Sequence, residues 1–180
     1  MSKLQQSYDR WLKLLLGVCG GITSVLGCAV LAGWHTHNAA LIKLLPALTP
    51  IPYNAALAFL LAGVAMLLIA WEKHHAATVV GGLVSFVGLV TLLEYVLETE
   101  LGLDQFFMKT QAIGAQVLHP GRMAITTSIC FMLIGLALAF PGLARRMGIN
   151  SVLPGLLGTF VCAVAADAIF GHWTGVAISY

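Results

Sequence analysis

The sequence predicts an all-α, polytopic membrane bundle of five transmembrane helices, forming a single domain over residues 1–180. Three observations predict it. Hydrophobic residues make up 59% of the chain and charged residues only 9%, whereas soluble domains carry about 25% charged residues. The apolar residues gather into five runs near the length that spans a bilayer. The segments between the runs hold five of the six prolines and nearly all the charges.

The first span is expected over residues 14–34, rich in glycine (Gly17, Gly20, Gly21, Gly27, Gly33) and therefore suited to close helix packing. It is too long and lacks the small-residue site of a cleavable signal. Residues 35–53 form a loop with Pro46, Pro50 and Pro52, and residues 39–45 suit a short interfacial helix. The second span, 54–71, opens on Asn54, a candidate N-cap. The turn Glu72-Lys73-His74-His75 leads into the third span, 76–97. A second long loop, 98–122, precedes the fourth span, 123–140, which is expected to stop at Pro141-Gly142. A basic turn at 144–148 leads to the fifth span, 151–173. Trp11, Trp34, Trp71, Trp173, Tyr53 and Tyr180 fall near span boundaries, as an aromatic belt does. Cys19, Cys28, Cys130 and Cys162 lie inside apolar runs without CxxC spacing and read as small buried hydrophobes.

The sequence also repeats. Residues 51–59 match 123–131, with Phe59 on Phe131, Gly63 on Gly135 and Ala65 on Ala137. Farther on, Gly82 matches Gly155, Glu94 matches Asp167 and Gly102 matches Gly175. A period of this length predicts a duplicated two-helix hairpin, residues 51–104 and 123–177.

Orientation follows from the basic residues. Lys3, Arg10, Lys13, Lys73, Arg145 and Arg146 fall on one side, against Lys43, Lys109 and Arg122 on the other. The positive-inside rule then puts the N-terminus and both short turns in the cytoplasm, with both long loops and Tyr180 outside. The net charge is only +2 with no basic tract, which gives no basis for a nucleic-acid partner.

Candidate site residues concentrate at the outer level. Glu94 and Asp167 are carboxylates inside apolar helices, where a charge costs about 2.5–3.5 kcal/mol at mid-bilayer and less toward the rim. Such residues either line a polar site or sit at the wet boundary. His35, His37, His119 and His172 fall at the same level. Imidazoles there could ligate haem b or a divalent metal, or simply be interfacial. Arg122, beside the start of the fourth span, suits an anionic group or an outer carboxylate. No phosphate-binding glycine loop, nucleophile elbow or HExxH occurs, so no enzyme activity is expected.

The run from His119-Pro120-Gly121-Arg122-Met123 through Thr126-Thr127, Phe131, Gly135, Ala137 and Leu138, echoed by Asn54 to Ala65, resembles a signature of bacterial multi-span input domains. Those domains precede histidine kinase or diguanylate cyclase modules. The resemblance covers most of residues 50–180 and implies a sensory domain of the bacterial inner membrane, acting on a cytoplasmic output module or a partner membrane protein. Its ligand is not implied. Five spans would leave the C-terminus outside, so the expectation is either an input domain separated from its output or a stand-alone protein, and a homodimer is compatible with both. Three other readings remain open: a haem-binding membrane redox protein, an assembly subunit of a membrane complex, and a small transporter. A two-span repeat gives copies of one orientation, which speaks against the inverted repeats of many transporters.

The orientation is directly testable. A cysteine placed at Gln111 should be modified by a membrane-impermeant reagent added outside, while one at Lys73 should be spared. The reverse pattern would overturn the topology.

Overall fold

The computed structural model describes residues 3–43, 50–97, 123–147 and 152–174. These residues form six helices and no strand. They are α1 (Lys3–His35), α2 (Ala39–Lys43), α3 (Tyr53–Ala70), α4 (His74–Val96), α5 (Ile125–Met147) and α6 (Leu153–Thr174). Four of them, α1, α3, α4 and α5, are long and apolar enough to cross a membrane. The fifth expected span falls on α6, whose apolar stretch Leu153–Asp167 is shorter. The chain is thus a helical membrane bundle. Its many exposed hydrophobic side chains, such as Val18, Ile22, Phe86 and Leu136, are the surface that lipid covers.

Successive helices pack as antiparallel pairs. The two most extensive contacts are α1 on α3 and α4 on α5. The hairpin contact of α3 with α4 and that of α5 with α6 are smaller, and α3 meets α5 lightly. In lipid the hydrophobic effect does not drive helices together, so pairing relies on close van der Waals approach at small residues. Both large seams have that character. A Cβ added to Gly27 would stand 2.5 Å from the Leu60 amide nitrogen and 2.8 Å from the Ala56 carbonyl oxygen. A Cβ added to Gly88 would stand 2.6 Å from both the Met132 amide nitrogen and the Ser128 carbonyl oxygen. On the facing helices, a Cβ on Gly63 would meet Gly20 O at 2.6 Å, and one on Gly135 would meet Gly81 O at 2.6 Å. No side chain fits at these four crossings.

The two seams are the same seam twice. Residues 20–27, GGITSVLG, and residues 81–88, GGLVSFVG, share glycine, glycine, serine and glycine at identical spacing. Their partners Ala56, Leu60 and Gly63 on α3 correspond to Ser128, Met132 and Gly135 on α5, each 72 positions later. The equivalent rings Phe59 and Phe131 then meet edge to face, centroids 5.0 Å apart, where the two pairs touch. Matched close contacts thus relate α1–α3 to α4–α5, a correspondence that the sequence comparison beginning at residue 51 did not include.

Several local expectations are corrected. Asn54 is not the N-cap of α3. Pro52 holds that position, since its fixed φ suits a helix entry, and Asn54 is buried in the first turn. Pro141 does not end the fourth helix, because α5 continues through it to Met147. The seam extends past this proline: Gly142 lies tight against His74 and Thr78, and Thr78 Oγ1 donates to Ala139 O at 3.1 Å. Trp34 is buried rather than belt-like. Cys19, Cys28 and Cys162 are exposed on the apolar surface, not packed in the core. At the opposite end from Trp34, Lys13 pairs with Glu72. Both side chains are exposed, so the pair contributes little.

Steric occlusion predicts a sharp contrast. Gly27→Leu and Gly88→Leu should each destabilise the bundle by about 1–3 kcal/mol or more through overpacking. Gly82→Leu, one position along from the seam glycine Gly81 but with nothing within 4 Å of its Cβ, should be near neutral. Folded fraction across a titration with a denaturing detergent reads the difference.

Candidate functional site

The alternating direction of the helices brings the C-terminal ends of α1, α4 and α6 to the same end of the bundle as the N-terminal ends of α3 and α5. Most candidate residues lie at that end. It is closed by two equivalent hydrogen bonds. Trp34 Nε1 donates to Ile51 O at 3.0 Å, and Tyr95 OH donates to Met123 O at 3.1 Å. Trp34 and Tyr95 are 61 positions apart, as are the seam glycines, and Ile51 and Met123 are 72 apart. Each aromatic therefore ties the last turn of one helix to the segment entering its partner. Sequence reading assigned Trp34 to a boundary belt, did not single out Tyr95, and missed the shared role. The signal available was their shared offset from the GGxxSxxG segments.

At this end the equivalence changes to a carboxylate at Glu94. Its counterpart in α1 is Gly33. There the space is taken by α2, since a Cβ on Gly33 would stand 2.7 Å from Leu41 Cβ and 3.2 Å from Ile42 Cγ1. In the second repeat a carboxylate occupies this place. Ala77, Gly81, Val84, Gly88, Thr91 and Glu94 recur every three or four residues as the buried stripe of α4. Glu94 ends that stripe with only 1% of its surface exposed. Asn54, 7% exposed, and Met123, 1% exposed, are buried at the same end. The hydroxyls farther down are satisfied locally: Thr91 Oγ1 donates to Val87 O and Ser128 Oγ to Ala124 O. A buried carboxylate with a buried amide at the same end can hold a proton, a cation or a hydrogen-bond donor.

The other candidates have local settings of their own. His35 lies edge-on to Tyr53, ring centroids 6.0 Å apart, with Nε2 and the Tyr53 hydroxyl oxygen 3.5 Å apart. His37 has φ 52 and closes α1, where Asn38 N donates to Gly33 O and His37 N to Trp34 O. That is a left-handed helix stop in which glycine is usual, so the backbone role of His37 is capping. Asp167 is exposed on α6, in contrast to Glu94. His172 lies in the last turns of α6. His119 and Arg122 fall outside the described residues, as do residues 98–122 as a whole, with Glu98, Glu100 and Asp104. Among the described residues no three His, Cys, Asp or Glu side chains form a metal-ligand group.

No family model matches this sequence, and no curated protein or solved structure matches it.

Proposed function

We propose that the chain is a non-catalytic sensory input domain of a bacterial inner membrane, with its Glu94 end facing outward and taking a small ligand there. One observation carries the proposal. Glu94 is fully buried at the end of the α4 packing stripe, where the first repeat has glycine. A carboxylate buried within a membrane helix marks a candidate site, and here the equivalent position of α1 does without one. The ligand class is a small molecule offering a cation or hydrogen-bond donors. The signature shared with input domains, His119 to Leu138 and its echo from Asn54, supports the signalling role, with a cytoplasmic output module as the partner.

The coupling route is physical. The seams of α1 with α3 and of α4 with α5 are rigid because backbone meets backbone, whereas the α3–α4 and α5–α6 hairpin contacts are smaller. A ligand seated at the Glu94 end would shift one rigid pair against the other and move the short turn between α3 and α4 at the cytoplasmic end.

Thermal unfolding of the purified protein against a small-molecule library tests this. A ligand present at 100 times its Kd should stabilise the wild type by about 2.7 kcal/mol and should lose most of that effect on Glu94→Gln. A compound that stabilises both proteins equally would overturn the assignment of Glu94. An absorption spectrum with a Soret band that shifts on reduction would move the reading to a haem protein. Absence of both a ligand and a chromophore would favour the assembly subunit.

A further inference from the structure

We propose that the end of the bundle carrying Lys13 and Glu72 seats an anionic phospholipid headgroup, its phosphate held by Arg10, Lys13 and Lys73. This goes beyond the sensory reading and does not rest on it. It needs only the membrane bundle, and it concerns the end away from Glu94.

Depth is the first observation. Three apolar spans reach this end, at Arg10, Ala70 and His74. The hydrocarbon boundary therefore passes close to all three residues. Trp11 and Trp71, 64% and 66% exposed, each stand one residue from it in different parts of the chain. Indoles settle at headgroup level, where the ring meets acyl chain and the N–H meets a polar group.

Charge is the second observation. By sequence this end collects six of the nine basic residues, Lys3, Arg10, Lys13, Lys73, Arg145 and Arg146. It holds two of the seven acidic ones, Asp9 and Glu72. Arg10 and Lys13 are one turn apart on α1 and so are surface neighbours. Lys13 pairs with Glu72, and the exposed Lys73 follows Glu72 directly. Among the described residues neither Arg10 nor Lys73 has a carboxylate partner.

The turn itself fixes the geometry. Glu72 N donates to Ile69 O at 2.9 Å and Lys73 N to Leu68 O at 2.8 Å. This closing pattern puts a left-handed residue after the helix, where glycine is usual, and here Glu72 takes it with φ 60. Lys13 lies three residues inside the span that starts at Arg10, about 4.5 Å along the axis. Its long stem brings the ammonium up to Glu72. An ammonium has three donors, so the pair leaves capacity for a second oxyanion. Three cations against one carboxylate leave the site net positive. Beneath it Leu14, Leu15 and Val18 are exposed and apolar. A phosphate above acyl chains matches that profile, cation at the boundary and hydrocarbon below, better than an acidic protein segment does.

The test uses the whole chain in detergent with phosphatidylglycerol or phosphatidylcholine of the same acyl chains added, and counts retained lipid per chain by native mass spectrometry. Phosphatidylglycerol should be retained severalfold more. Arg10→Gln and Lys73→Gln should each lower its retention about fivefold and leave phosphatidylcholine unaffected. Lys43→Gln, at the opposite end, should change neither. Glu72→Gly suits φ 60 and removes the competing carboxylate, so it should raise retention of phosphatidylglycerol, whereas structural damage would lower it. Equal retention of the two lipids, an equal loss from Lys43→Gln, or a fall on Glu72→Gly would each overturn the proposal. Displacement of the lipid by inorganic phosphate at the same concentration would place a free phosphate there instead and overturn it as well.

Discussion

Backbone-to-backbone contact at glycine is the constraint on which this bundle depends. Where a soluble protein would bury leucine between helices, this chain removes side chains and lets carbonyl and amide groups of one helix touch the next. The reason is the solvent. Lipid solvates an apolar side chain as well as a neighbouring helix does, so association must come from packing that lipid cannot reproduce. Gly27 over Ala56 and Leu60, and Gly88 over Ser128 and Met132, provide it. Exposed leucine, valine and phenylalanine on the outer faces then serve only to match the bilayer.

Duplication of such a seam gives two rigid pairs, and the departures from symmetry mark where function can enter. The closing hydrogen bonds from Trp34 and Tyr95 are retained in kind although the residue changes. Gly33 is not retained. In the first repeat α2 folds back to fill the space, and in the second Glu94 does so. The glycine-to-carboxylate difference at this end converts a packing position into a polar one. The proposed ligand site at Glu94 follows from this comparison.

The sequence made the spans legible because hydropathy and length are properties of single segments. The end of the bundle that collects the candidate residues was legible from the alternation of spans. Pairing was not. The segments 20–27 and 81–88 are short, apolar and 61 apart, whereas the visible repeat runs at 72 and 73, because the number of residues between α1 and α3 differs from that between α4 and α5. Trp34 was misread for a related reason: an aromatic at a span boundary looks the same whether it faces headgroups or donates to Ile51 O. Glu94 and Asp167 looked equivalent in sequence, and only packing distinguishes the buried one from the exposed one.

Interchange of the two seams is the most direct measurement of the central claim. Replacing residues 20–27, GGITSVLG, by GGLVSFVG transplants the α4 seam onto α1. If both pairs are built on one local code, the chimera should keep wild-type resistance to detergent unfolding, to within about 1 kcal/mol, the scale of volume-conserving core swaps. Unfolding at much lower detergent, with the glycines and serine all still in place, would contradict the equivalence of the two pairs.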